Sequence, residues 1–243
     1  MIIYTVVTDE NCPLPIQTIK SKHEHVCFHT FDIKEKQKFW NYEKIKIEES
    51  PLYTQRKYKL MSHLFIKEDC LYFDPKNLIV NIPEPTHDFM IMPHHFRTCM
   101  LDELIDWLLI PMINIKQAKQ IINYFKIKNY DFLKKESCAG NAFYRKYTKK
   151  NVSHNKVWFK LWCKYKIRDQ LWFYLSSHLT KLNPFFITEQ FNQTPEHQPF
   201  YYSNPELHFY NLNRLPDLLT FIEKTLNIKY TINPESLKTR RLF

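Results

Sequence analysis

The chain has 243 residues, of which 44% are hydrophobic and 16% aromatic, with one glycine and a formal charge of +10. That length fits one domain with an appendage, and the apolar content supports a core that needs neither disulfides nor a structural metal. The lone glycine, Gly140, excludes a P-loop and a Rossmann fingerprint, both of which need several glycines to bring backbone amides against phosphate. Any nucleotide must therefore be held by side chains, a metal or ordinary strand-end backbone.

In chain order, the β-branched run Ile2 to Thr8 predicts a buried strand, closed by Asp9, Asn11 and Pro13. His25 to Thr30 and Tyr42 to Ile47 read as two more strands. Apolar residues at helical spacing predict a helix over Leu52 to Phe65. Leu71 to Phe73 is a short buried strand that runs directly into Asp74, followed by Pro75 and Asn77. Leu78 to Ile82 continues extended until Pro83 and Pro85 break it. Asp88 to Met92 is a further strand, and Pro93, His94 and His95 begin a loop. Amphipathic helices follow over Leu101 to Leu109 and Ile115 to Phe125, separated by Pro111. Asn141 to Tyr147 reads as a strand and Lys156 to His178 as one long tryptophan-rich helix with Asp169 inside it. Pro184 to Pro205 is irregular, Leu215 to Leu226 is a last amphipathic helix with Pro216 in its first turn, and the tail at Lys238 to Arg241 is basic.

Alternating strands and helices in the first half predict an α/β sheet covered on both faces. In such sheets ligands sit outside the carboxyl ends of the strands, which directs attention to Asp9 and Asp74. The division is a domain over 1–183 and a segment over 184–243 whose helix packs back on it. Six scattered cysteines form no CxxC pair, so reduced thiols are expected. The start MIIYTVVTDE is too short and too quickly acidic for a signal peptide, and no apolar run reaches the length of a membrane helix. The expected location is cytoplasmic. The lysines are spread along the chain, with no arginine-rich tail or RNP-like sequence, so a lysine-rich solvated surface competes with binding of nucleic acid, anionic lipid or phosphorylated ligands.

Four groups carry candidate chemistry. Asp74, at the tip of an interior strand, can hold Mn²⁺ or Mg²⁺ against a diphosphate, with Asn77 adding a neutral oxygen; Asp-Pro-Lys-Asn is equally good turn chemistry. The segment PHHFRTCMLDE offers His94 and His95 as metal or sugar contacts, Arg97 as a bidentate phosphate clamp, and Glu103 either as an active-site acid or as a favourable helix-start charge. Arg168-Asp169-Gln170 places charge inside an apolar helix, which is costly unless it reaches water or a partner. Trp158, Trp162 and Trp172 suit either a sugar face or a core.

The order Tyr4-Thr5, Arg56 with Tyr58-Lys59 and His63, Phe73-Asp74 with Asn77, His94/His95-Phe96-Arg97, Asp102-Glu103, Gln120 with Tyr124, and Arg168-Asp169-Gln170-Leu171 resembles the glycosyltransferase-like family of plant pollen-development and seed-mucilage proteins and of microbial polysaccharide loci. The resemblance covers about Ile2 to Leu179. It implies a GT-A-like mixed sheet flanked by helices, a nucleotide-sugar donor and a divalent metal. The expected acceptor is a glycan or a lipid-linked glycan, nucleic acid is not the expected partner, and the basic and aromatic surface suits peripheral membrane contact at such an acceptor. Thr5, Arg56, Lys59, Arg97, His94, His95 and Gln170 then correspond to donor-pocket residues, Asp74 and Asn77 to metal ligands, and Asp169 with Glu103 to the acceptor side. The family pattern has Gly-Asn after the strand-end aspartate; here Pro75-Lys76-Asn77 follows Asp74. The competing expectations are a nucleic-acid-binding module and an inactive glycosyltransferase-like subunit.

Overall fold

The computed structural model describes residues 1–12, 16–17, 21–75, 77–79, 81–94, 97–109, 113–134, 138–187, 192–193 and 215–230. His95, Pro13, Pro111, most of 184–205 and the basic tail lie outside the described residues. The main sheet has seven strands: β1 (Ile2–Val7), β3 (Glu24–His29), β4 (Asn41–Lys44), β5 (Cys70–Phe73), β7 (Phe89–Pro93), β8 (Cys138–Arg145) and β9 (Phe185–Phe186). Their spatial order is β4-β3-β1-β5-β8-β7-β9. Every pairing is parallel except the two made by β8, which runs against β5 and β7. A second, three-stranded sheet joins β2 (Ile16–Gln17), β6 (Leu78–Ile79) and β10 (Asn192–Gln193). The protein is thus a mixed α/β structure, as its sequence predicts.

The six α-helices described are α1 (Pro51–Leu60), α2 (Met100–Leu109), α3 (Ile115–Ile127), α4 (Lys149–Tyr165), α5 (Asp169–Thr180) and α6 (Leu215–Leu226). Local chemistry sets their ends. Ser50 accepts from the Tyr53 amide at 3.1 Å and Pro51 fills the first helical position of α1. Asn114 and Gln117 form a capping box on α3. Thr148 caps α4, which stops at Lys166 in the left-handed conformation, φ 48°.

That stop corrects the sequence reading of one helix over Lys156 to His178. Two helices meet there, and Asp169 opens the second instead of lying inside the first. Likewise the helix expected over Leu52 to Phe65 ends at Leu60 and continues as a single 3₁₀ turn, Ser62–Leu64.

The two faces of the sheet differ. Alternate strand residues Tyr4, Val6, Phe28, Tyr72, Ile91 and Phe143 join a core to which all six helices contribute. The opposite set, including Ile3, Val7, Leu71, Phe73 and Met92, packs with Trp40, Ile79 and Ile187, and no helical residue joins it. Flanking by helices therefore holds for one face only among the described residues; strand β6 and connecting loops cover the other. Trp158, Trp162 and Trp172 are buried in the helical core. Trp158 donates to the Asp169 carbonyl at 2.7 Å. Their sugar-stacking alternative falls away, because a ring at full burial presents no face to a ligand. Helix α6 packs on α2 and α3.

Candidate functional site

Because β1, β5 and β7 run one way and β8 the other, the carboxyl ends of the first three share an edge with the start of β8. Pairing of Pro93 with Cys138, and of Phe73 with Ala142, fixes that edge. Between Ile91 and Met92 the β7–β8 register jumps from Phe143 to Ala139, leaving Gly140, Asn141 and Ala142 as a bulge on the β8 side. Bulges re-aim side chains and favour such edges. The Asn141 carbonyl, freed from β7, accepts from the Asp74 amide at 2.7 Å and from Asn77 Nδ2 at 3.0 Å. These bonds hold Asp74 at the tip of β5.

Four charged groups from three elements converge there. Lys59 Nζ, from α1, lies 3.0 Å from Asp169 Oδ2 and 3.5 Å from Asp74 Oδ1. Arg56 Nε, one turn earlier, lies 3.2 Å from Asp169 Oδ1. Tyr72 donates its hydroxyl to Asp74 Oδ1 at 2.6 Å, and its ring faces Lys59 Nζ at 5.0 Å. Burial alone would raise the Asp169 carboxyl, but the charges of Arg56 and Lys59 outweigh it and hold Asp169 well below the usual carboxylate range. Its place in the first turn of α5 adds the helix dipole. Burial, then the Asp74 charge, raises the Tyr72 phenol, so it stays a donor.

Arg145 supports this arrangement and was not singled out by sequence. It is buried at the end of β8 and donates to the Lys59 carbonyl at 2.8 Å, the Leu60 carbonyl at 3.1 Å and Asn155 Oδ1 at 3.1 Å, and also to the Tyr4 hydroxyl. The last carbonyls of α1 are thereby satisfied by a cation, which fixes the backbone from which Lys59 reaches the site. Gly140 is the other residue to add. A Cβ there would lie 3.1 Å from Gln170 Cγ and 3.8 Å from Lys59 Nζ. Its φ is not positive, so glycine is needed for space and not for backbone freedom. The signal in the sequence was its uniqueness.

The segment after β7 forms a separate network. Arg97 donates to Glu103 Oε2 and Asp106 Oδ2, each at 2.5 Å. Glu103 also accepts from Trp107 Nε1 at 2.9 Å. Burial opposes ionisation of Glu103, yet the Arg97 charge lowers its pKa on balance. Arg97 is thus already clamped on two carboxylates, and Glu103 is fully buried, so neither phosphate binding by Arg97 nor acid–base work by Glu103 follows from their positions. His94 Nδ1 accepts from the Arg97 amide at 3.2 Å. Gln170 spans the gap between the networks, donating to the Cys138 carbonyl at 3.1 Å. Burial raises the Cys138 thiol well above its usual value, which leaves it protonated. All six cysteines are free. Thr5 is buried in mid-strand on the face without helices, apart from Arg56 and Lys59.

The donor set does not suit a divalent metal at Asp74 and Asn77. Among the described residues no three His, Cys, Asp or Glu side chains gather around one point. The Asp74 carboxylate already receives Tyr72 and neighbours the Lys59 ammonium at 3.5 Å. A dication about 2 Å from that oxygen would sit within ~5.5 Å of Lys59, a repulsion of roughly 6 kcal/mol at an effective dielectric of 20. Lys59 takes the position of counter-charge instead. Asn77 Oδ1 is buried with no hydrogen-bond partner, but one neutral amide oxygen does not make up a ligand set for a dication.

Compared with known proteins, the chain matches no family model and no curated sequence. The fold and the edge of the sheet define it as a mixed α/β protein with a partly buried Arg–Lys–Asp–Asp constellation at its strand ends.

Proposed function

We propose that the protein is a GT-A-like glycosyltransferase that takes a nucleotide-sugar donor at the carboxyl ends of β1 and β5. The observation that supports it most is the meeting of Asp74, Asp169, Arg56 and Lys59 from β5, α5 and α1 at one strand edge. With one glycine and no phosphate loop, side chains are one of the few means left to meet a diphosphate, and Arg56 and Lys59 are cations held at that edge. Half-buried Asp74 keeps the constellation open to ligand.

In this reading the donor diphosphate draws the Lys59 ammonium and Arg56 guanidinium away from the carboxylates. Those cations offset the charge that grows on the departing diphosphate as the glycosidic bond breaks. Asp169, released from full neutralisation, orients the acceptor hydroxyl, and Tyr72 keeps Asp74 in place. Gln170, beside Gly140, lines the space for the transferred sugar. The acceptor is a glycan or a lipid-linked glycan. No step runs through a metal.

The test is sugar transfer or donor hydrolysis measured over a panel of nucleotide sugars, with Asp74→Ala and Asp169→Asn compared with the parent. Each substitution is expected to lower kcat at least a hundredfold while circular dichroism stays unchanged. Full turnover in a folded variant would remove that residue from the mechanism, and no turnover or nucleotide-sugar binding by the parent would remove the assignment.

A further inference from the structure

The net positive charge belongs to one part of the chain. Residues 113–187 carry sixteen Lys and Arg against three Asp and Glu, whereas the remainder carries nineteen against twenty-two. The lysines themselves are scattered through the chain; it is the scarcity of acids in this segment that leaves the charge unbalanced. In the structure that segment holds α3, β8, α4, α5 and β9, and all thirteen of its described lysines are exposed. Helices α3 and α4 contain no acidic residue.

The lysines frame a groove where the ends of α3 and α5 meet the middle of α4. It is lined by Tyr124, Lys128, Val157, Lys160, Lys164 and Leu179, among others, with no acid. His178 Nε2 lies 2.9 Å from the Lys128 carbonyl, joining the ends of α5 and α3. Lys164 Nζ stands 4.8 Å from the Tyr124 ring. Beside these cations, aliphatic side chains project into water: Ile127 is 73% exposed and Leu179 40%. Exposed aliphatic tips between lysines are what an interfacial surface needs, with the tips entering the acyl boundary and the ammonium groups meeting headgroup phosphates. A nucleic-acid platform would instead present open aromatic faces. Here Tyr124 and Tyr165 pack on each other at 5.7 Å, and Tyr165 stacks on Trp172 at 4.4 Å.

We propose that the α3–α4–α5 face is a docking surface for an anionic lipid bilayer. Ten residues of helix, roughly 15 Å, separate Leu179 from Asp169 along α5, so docking leaves the strand-edge constellation uncovered. The proposal rests on surface chemistry and stands whether or not the protein transfers sugar.

The experiment is co-sedimentation of the full chain with phosphatidylcholine vesicles and with vesicles containing phosphatidylserine, alongside a single-stranded RNA titration. Binding is expected only to the anionic vesicles and is expected to weaken with salt. Combined Lys128→Gln, Lys160→Gln and Lys164→Gln should cut it about a hundredfold, at roughly 1 kcal/mol per lysine. Ile127→Asn with Leu179→Asn should cut vesicle binding but leave any RNA binding as it was. All five positions are on the surface, and an unchanged thermal melt confirms folding. Equal binding to neutral vesicles, unchanged binding by the triple variant, or RNA binding without vesicle binding would overturn the proposal.

Discussion

At the scale of single residues, Gly140 and Asp169 carry the most consequence. Gly140 sits in a bulge where an added methyl would lie 3.1 Å from Gln170, closer than an ordinary contact, and Gln170 is itself tied to the Cys138 carbonyl. Gly140→Ala is therefore expected to displace Gln170 by a few tenths of an ångström and to lower donor affinity about tenfold, read as a rise in Kd by calorimetry. Stability should change by less than ~1.5 kcal/mol, within the range for modest overpacking. Asp169 differs. Replacing it by Ala leaves Arg56 and Lys59 buried without their shared counter-charge, and loss of one partner from a buried pair costs about 3–5 kcal/mol. Denaturation with urea should show that loss for Asp169→Ala and a smaller one for Asp169→Asn, which retains an oxygen acceptor. An unchanged midpoint in both would mean that the cations find water in the folded protein.

Elements impose the next level of control, and α4 shows how. Its buried face carries His154, which lies against Phe89, Trp158 and Phe173 and within 3.0 Å of Ser176 Oγ. Burial, and then the Arg145 charge, pushes its pKa down to about 3. His63, in the 3₁₀ turn after α1, is pushed down to about 4 for the same two reasons. Both bases are harder to protonate folded than unfolded, so the unfolded chain binds more protons below the ordinary histidine value. Stability is then complete above about pH 6.5 and falls as pH drops from there toward 4, by up to ~1.4 kcal/mol per pH unit for each histidine. Urea midpoints between pH 7 and pH 4.5 should fall steadily, and His154→Phe should flatten the slope. A flat profile in the parent would show that these rings remain hydrated. Asp169 titrates in the opposite sense of chemistry but the same direction of pH: its lowered pKa removes further stability only below about pH 4.

For the whole molecule, charge and fold are arranged separately. The strand-edge constellation is electrically balanced, two cations against two carboxylates, while the surplus lysines stand on α3, α4 and the end of α5. With Lys59 serving as counter-charge at Asp74, nucleotide-sugar binding should be insensitive to chelator and gain little from Mn²⁺. A thermal-shift series with donor, with and without chelator, checks this. A Tm rise that requires Mn²⁺ would restore a metal role to Asp74 and Asn77. Among the described residues no helix is long and apolar enough to cross a membrane.

The strands Ile2–Val7 and Cys70–Phe73, and helices α2, α3 and α6, were legible in the sequence because apolar periodicity acts locally, and the same periodicity pointed to Asp74 as a strand-end residue. It could not reveal that α4 and α5 part at Lys166, since the apolar pattern runs through the break and only a left-handed backbone residue marks it. Nor could it pair Asp169 with Arg56 and Lys59, more than a hundred residues away, or pair Arg97 with Glu103 and Asp106. Those outcomes depend on which charged groups are buried together, and a buried charge has to find a partner wherever folding places one. The sequence by itself determined the α/β class, strands β1 and β5, helices α2, α3 and α6, the excluded phosphate loops and the tip of β5. Tertiary structure alone decided which cation faces which carboxylate, why the single glycine is where it is, and which side of the protein carries its charge.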